Sequence, residues 1–311
     1  MTDLISLDGT PAPRFAFGTM QFGENADDVA ARAMFDACID AGVTHFDTAN
    51  LYTGGASETI LGRLVAPLRD RLIIATKIGY DAPDTVAALR AQFDTSRARM
   101  GLDAVDVLYL HRFNPNLAIN AQIELLAELQ SAGQTRYLAL SNFAAWQVMK
   151  AQSIAHGLGT RIDVIQPMYS LVKRQAEVEL LPMCASEGIL AATYSPLGGG
   201  LLTGKYAKGG TGRLSEDHRY AARYGLGWMH RAAEALPEIS QDVNMHPATL
   251  AVAWVASHPA RPAPILSARS LEQLQPSLDA LSFDMTAELR DRLTALTPTP
   301  APATDRIEEN V

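Results

Sequence analysis

Strand-like and helix-like stretches alternate along this chain almost without a break, and helix-like runs stop at Gly42, Gly101, Gly133 and Gly188. That rhythm requires parallel strands joined by crossover helices, because parallel neighbours cannot be linked by a tight turn. The pattern predicts strands at Phe15–Gly18, Val43–Asp47, Leu72–Lys77, Val105–His111, Tyr137–Ser141, Val164–Pro167, Leu190–Tyr194 and Ala263–Ser267. It predicts helices at Asp27–Ala41, from Ser57 as an N-cap, and over Thr85–Met100, Ile119–Ala132, Ala144–His156 and Arg174–Glu187. Another covers His246–Ser257, with a shorter helix before it, and the last begins near Ser270. Eight such units close as a single-domain (β/α)8 TIM barrel spanning 1–311, since an open doubly wound sheet rarely needs eight.

Three segments fall outside the rhythm. The residues before Phe15 are expected to form a hairpin that plugs the barrel bottom. Ser195 to about Trp228 forms a long loop after strand seven, rich in Gly, Arg and Tyr. Thr297–Val311, with three prolines, is a tail expected to be mobile unless it folds over the site.

A chain of 311 residues with 48% hydrophobic and 19% charged side chains can bury a large core. Its net charge of -8 argues against nucleic acid as the main partner, although a local basic pocket for a phosphate remains compatible. The only cysteines, Cys38 and Cys184, lie among apolar residues of predicted helices and read as buried thiols. The opening Met-Thr-Asp-Leu-Ile-Ser shows no secretory pattern, and no apolar run reaches the roughly 18–20 residues of a membrane span. The expectation is a cytoplasmic protein; oligomeric state is not legible.

Four polar residues end successive strands or follow them closely: Asp47, Tyr52, Lys77 and His111. In a parallel barrel the carboxyl ends of all strands open on one face, where active sites sit. An ammonium beside a phenol favours the phenolate, so Lys77 would bring Tyr52 toward working pH. Asp47, one strand away, is placed to keep Lys77 charged, and His111 to hydrogen-bond the same substrate oxygen. The set suits protonation of a carbonyl oxygen as hydride reaches the carbon, or the reverse. Side chains cannot deliver hydride, so a nicotinamide cofactor is implied. Each residue alone has an ordinary structural role in turns, packing or solvation; the convergence of all four carries the reading.

These residues and several further segments resemble the aldo-keto reductase superfamily over nearly the whole chain. The matching runs are Phe17-Gly18-Thr19-Met20, Asp47-Thr48-Ala49-x-x-Tyr52, Ser141-Asn142-Phe143 and Gln166-Pro167-x-Tyr169-Ser170. Tyr194-Ser195-Pro196-Leu197, Gly200 to Tyr206, Leu250 to Trp254, and Ser267-Ala268-Arg269-Ser270-Leu271-Glu272-Gln273 complete them. The resemblance implies Tyr52 as general acid–base, Lys77 and Asp47 tuning it, and His111 orienting the carbonyl. It implies Ser141, Asn142 and Gln166 on the carboxamide of the nicotinamide, with Tyr194 stacked on its ring. Ser195, Leu197, Lys205, Ser267, Arg269 and Gln273 are the implied contacts to the rest of NADPH, with NADH as a weaker alternative. No metal is implied.

Several positions depart from the family pattern. Ser277 stands where an asparagine is frequent, and Arg112-Phe113-Asn114-Pro115 follows His111 in place of the frequent H-x-P-D. Gln134 and Ala139 replace a common lysine and glycine. Intact catalytic residues also fit a second class, a cofactor-bound redox-sensing module resembling potassium-channel β subunits. A metal-dependent barrel hydrolase would need clustered ligands, and His45 with His111 alone makes that reading weak. The partner is a small carbonyl or alcohol substrate, read by loops at Met20–Glu24, Arg112–Ala118, Leu197–Arg223 and the tail. Phe22, Tyr80 and Phe113 are candidates to line its pocket.

Overall fold

All eight predicted strands form, as β1 Ala16–Gly18, β2 His45–Asp47, β3 Ile73–Ile78, β4 Val105–Leu110, β5 Thr135–Ser141, β6 Ile162–Gln166, β7 Leu190–Thr193 and β8 Ala263–Leu266. They pair in parallel in sequence order and close with β8 on β1. The computed structural model describes residues 3–206, 210, 212–306 and 308. The remainder of the expected tail, Met1, Thr2 and part of the loop after β7 lie outside them.

Alternation along each strand divides the core in two. Ala16, Ile73, Ala75, Val107, Tyr109, Ala139, Val164, Ala192 and Ile265 fill the barrel. Phe17, Phe46, Ile74, Leu108, Leu110, Leu138, Leu140 and Ile165 point outward into the helical layer. The N-terminal plug is present: Ile5 bridges Pro11 in antiparallel fashion, and buried Leu4 joins the interior cluster. The Ile5 amide donates to the Tyr137 hydroxyl at 3.1 Å, tying the plug to β5.

The first five crossover helices are α1 Asp28–Asp40, α2 Ala56–Val65, α3 Val86–Met100, α4 Ile119–Ser131 and α5 Ala145–Gly157. Ser57 is not the N-cap of α2. Gly55 holds that position with φ 98, and Ser57 is buried inside the helix, its hydroxyl donating to the Thr19 carbonyl at 2.8 Å. The sixth helix is shorter than the sequence suggests. Gln175–Glu177 is a single 3-10 turn, and α6 runs Leu180–Glu187. Pro182 explains the delay: a proline fits the first turn of a helix but clashes with the preceding turn inside one.

After β7 come a 3-10 turn over Gly198–Thr203, α7 Arg213–Glu216, α8 His218–Arg223, α9 Gly227–Asp242 and α10 Pro247–Ala256. The helix before α10 is thus the longer of the two, 16 residues against 10, contrary to expectation. After β8, α11 Leu271–Leu278 starts at Ser270, whose side chain accepts from the Gln273 amide. A further helix, α12 Ala287–Thr294, escapes the sequence reading because only Leu289 and Leu293 of it are buried. It packs where the indole of buried Trp254 donates to Thr294 Oγ1 at 2.9 Å. Among the described residues no helix is long and apolar enough to cross a membrane. Cys38 and Cys184 are free and buried.

Candidate active site

Register places the site. Gly18 pairs with Asp47, and Lys77 pairs with Tyr109, so Asp47 and Lys77 face inward at the carboxyl ends of β2 and β3. The Lys77 ammonium, with no exposure, donates to Asp47 Oδ1 and to the Thr48 carbonyl, the latter at 2.7 Å. Burial pushes the Lys77 pKa down, and Asp47 is the strongest influence holding it up, with Glu58 adding to it. Its Nζ stands 5.1 Å from the Tyr52 ring centroid and 5.6 Å from that of Tyr109. A desolvated cation against aromatic faces is favourably placed.

Tyr52 opens the irregular turn Tyr52–Gly55 between β2 and α2. Its ring meets His111 edge-on, centroids 5.9 Å apart. β4 ends at Leu110, so His111 lies just past the strand, anchored by its amide to the Ile78 carbonyl at 2.8 Å. Burial, then Lys77 and Arg112, push the imidazole down to about 2. It is therefore neutral, offering one N–H and one lone pair, and its Nδ1 is buried without a hydrogen-bond partner.

The ends of β5, β6 and β7 form one network beside this set. Ser141 Oγ donates to the Gln166 carbonyl at 3.1 Å. Asn142, at φ 58, donates from Nδ2 to the His111 carbonyl at 3.0 Å and to Ser141 Oγ at 3.1 Å. Its Oδ1 accepts from the Tyr194 hydroxyl at 2.7 Å. Burial lifts the Tyr194 phenol to about 12, so it remains a donor. Gln166 Nε2 donates to Asp47 Oδ2 at 2.9 Å and closes the circuit.

The remaining predicted residues lie along the β7 and β8 loops. Ser195 has φ 59, and Gly198, Gly199 and Gly200 after Leu197 are all left-handed, a path that glycine takes without strain. The Lys205 ammonium lies 4.8 Å over the Tyr206 ring and, among the described residues, pairs with no carboxylate. Ser267 Oγ is buried without a partner. Arg269 reaches Gln21 Oε1 and Glu216 Oε2, each at 3.3 Å, and its amide donates to Gln273 Oε1 at 3.3 Å. An ammonium with no carboxylate partner among the described residues, a buried hydroxyl without a partner and a guanidinium beside the start of α11 fit an anionic dinucleotide.

At the mouth, Tyr80 packs 4.9 Å from His111, and Arg112 lies 4.8 Å over Tyr80. Phe113 contacts Phe143 and Trp146 with centroids at 5.5 and 6.0 Å. Phe22 does not line the pocket; it is fully buried against Phe17 in the core. Sequence reading missed Glu58, Arg99, Gln21 and Glu216, which reach the site from other elements. Among the described residues no group of three His, Cys, Asp or Glu side chains is arranged to hold a metal ion.

Residues 14–297 match the family model described as the aldo/keto reductase family. An uncharacterized oxidoreductase of Bacillus subtilis is 31% identical, with 94% of each chain covered. The rat aflatoxin B1 aldehyde reductase member 2 is 32% identical over 89% of this chain and 84% of its own. A probable voltage-gated potassium channel subunit beta of Oryza sativa is 29% identical over 94% and 95%.

Proposed function

The chain belongs to the aldo/keto reductase family, oxidoreductases of carbonyl groups, and from that premise we propose that it reduces an aldehyde or ketone with NADPH, reversibly, using Tyr52 as general acid–base. The observation that carries this reading is the Lys77 ammonium, fully buried between Asp47 and the Tyr52 ring. A buried cation next to a phenol stabilises the phenolate left after proton donation. Asp47 balances the ammonium so that it need not shed its proton.

When bound, the nicotinamide supplies or accepts the hydride. Ser141, Asn142 and Gln166 would hold its carboxamide, and Tyr194 would lie against its ring. Ser195, Leu197, Lys205, Ser267, Arg269 and Gln273 would hold the phosphates and adenosine. Neutral His111 donates a hydrogen bond to the carbonyl oxygen and orients it toward Tyr52. Tyr52 then gives its hydroxyl proton to that oxygen as the alcohol forms, and reclaims it in oxidation. Tyr80 and Arg112 close the mouth above His111 and help exclude water.

Likeness to a potassium channel β subunit over most of both chains favours one second reading, a cofactor-bound redox sensor. Steady-state turnover of a panel of aldehydes and ketones with NADPH and NADH separates the two. The enzyme reading expects sustained turnover, faster with NADPH. A single slow oxidation of bound cofactor would support the sensor and overturn the enzyme.

A further inference from the structure

The turn that carries Tyr52 is irregular and has few bonds of its own: the Tyr52 amide donates to the Ala49 carbonyl at 3.1 Å, the Gly54 amide to the Leu51 carbonyl at 3.4 Å, and the Ser57 amide to Thr53 Oγ1 at 3.0 Å. Thr53, Gly54 and Gly55 are all left-handed, with φ of 49, 64 and 98, so no regular helical ladder fixes it. Thr53 Oγ1 donates outward to the Phe22 carbonyl at 2.8 Å, and Arg99, in the last turn of α3, adds a second fixing from outside. Its Nη1 donates to the Asn50 carbonyl at 2.8 Å and pairs with Glu58 Oε2 at 3.2 Å. The guanidinium lies against Gly55, where an added Cβ would stand 2.3 Å from Arg99 Cζ.

Glu58 is wholly buried, and its other oxygen accepts from Thr76 Oγ1 at 2.7 Å, one residue before Lys77. Asn50 makes three further hydrogen bonds. Its amide donates to the Lys77 carbonyl at 3.0 Å, and its Nδ2 donates to Gln92 O and Ser96 Oγ on α3, each at 3.1 Å. α3 rides close on α2, for a Cβ at Gly62 would meet the Met100 carbonyl at 2.2 Å. The segment bearing the phenol and the strand bearing the ammonium are thus joined directly, through the Asn50 amide, and a second time through the Arg99–Glu58 ion pair.

We propose that Arg99 and Glu58 are positioning residues that set the spacing between the Tyr52 phenol and the Lys77 ammonium, making α3 part of the acid–base machinery. The proposal rests on the reading of Tyr52 as the acid. An ion pair with a buried anion adds little net stability over an apolar pair, so geometry is the better reason to keep one here. Glu58 also bears charge on Lys77, as a second anion after Asp47, and Arg99 is the counter-charge of Glu58.

The test uses full-length Arg99→Met, Arg99→Lys and Glu58→Gln. Readouts are thermal melting, NADPH affinity by fluorescence titration, kcat and KM for butanal, and the pH profile of kcat/KM. In Arg99→Met, kcat should fall about 10- to 100-fold, since a displacement near 1 Å has that effect, while NADPH affinity and KM hold within about threefold. Its apparent pKa should rise, because the buried Glu58 anion loses its counter-charge. Glu58→Gln keeps the hydrogen bonds and removes an anion, so its apparent pKa should fall with a smaller change in kcat. Arg99→Lys keeps the charge and loses the two-point reach, so kcat drops while the profile stays near wild type.

Wild-type kcat and pH profile in the folded variants would overturn the proposal. So would losses of kcat that merely track losses of cofactor binding with an unmoved profile, the signature of a packing role. If Arg99→Met fails to fold, the other two variants decide by the same criteria. A wild type that reduces no carbonyl substrate sinks the reductase reading itself, and the positioning role with it; active wild type with indifferent variants sinks only the positioning role.

Discussion

Gln166 donates from Nε2 to Asp47 Oδ2 at 2.9 Å, across 119 residues of sequence, and so ties the end of β6 to the acid at the end of β2. Asp47 spends its other oxygen on Lys77. In the proposed site one amide would therefore serve both halves, the nicotinamide side and the proton-transfer side. Gln166→Leu should lower stability by roughly 1.5–3 kcal/mol, the value of a hydrogen bond to a charged group. It should also weaken NADPH and NADH alike. Urea unfolding and fluorescence titration check this; weaker cofactor binding with unchanged stability would show that Asp47 does not depend on Gln166.

Tyr52→Phe keeps the ring against Lys77 and His111 and removes only the hydroxyl. Turnover should drop about 10²–10⁴-fold, the usual worth of a positioned acid, with NADPH affinity preserved. Lys77→Met should go further and also destabilise the fold by roughly 3–5 kcal/mol, because it strands the Asp47 carboxylate in the barrel. Near-normal turnover in Tyr52→Phe would move the acid to another residue.

Asp47, Tyr52, Lys77 and His111 were legible because their address is set by local sequence: each closes an apolar run or follows one by a few residues. Ser141, Asn142, Gln166 and Tyr194 share that logic and meet in one hydrogen-bond network. Glu58, Arg99 and Glu216 do not. They sit on helices, where an exposed charge and a buried one look alike, and their partners lie 41 and 53 residues away. Two helices, one on each side of β7, were misjudged for a related reason. α12 has a thin apolar stripe and α6 is delayed by Pro182, so neither boundary appears in periodicity alone.

Two buried histidines should make the fold acid-sensitive. Burial holds His45 at about 4 and His111 at about 2, against about 6.5 in an unfolded chain. The unfolded state takes the proton first, so stability is full above about 6.5 and falls with pH by about 1.4 kcal/mol per unit per histidine. For His45 the fall ends near about 4; for His111 it continues to about 2. Asp163, raised to about 6 mainly by burial, works the other way: its contribution is lost as pH rises through that value and returns on acidification. His258, lowered mainly by burial, adds a fall in the same direction as the other two. Between about pH 6 and 4, His45→Gln should reduce the slope of urea-measured stability by about one histidine's share, roughly 1.4 kcal/mol per unit. A slope parallel to wild type would show that His45 is protonated in the folded state.

Arg269 faces an acid that its own loop does not contain. Its Nη2 pairs with Glu216 of α7 at 3.3 Å, an exposed contact between the loop after β7 and the loop after β8. A ribose phosphate held by Arg269, as proposed, would compete with Glu216 for the same guanidinium or draw it aside. Arg269→Ala should weaken NADPH by about 10- to 150-fold, the worth of a charged hydrogen bond, and leave NADH nearly unchanged. Glu216→Gln removes the competitor and should tighten NADPH, with the gain shrinking at high salt because the pair is exposed. Fluorescence titrations of both cofactors at two ionic strengths read these differences. Equal loss for both cofactors in Arg269→Ala would mean that the arginine holds the loop to Gln21 and does not read the phosphate. Weaker NADPH in Glu216→Gln would mean that the carboxylate helps seat the arginine for the phosphate and does not oppose it.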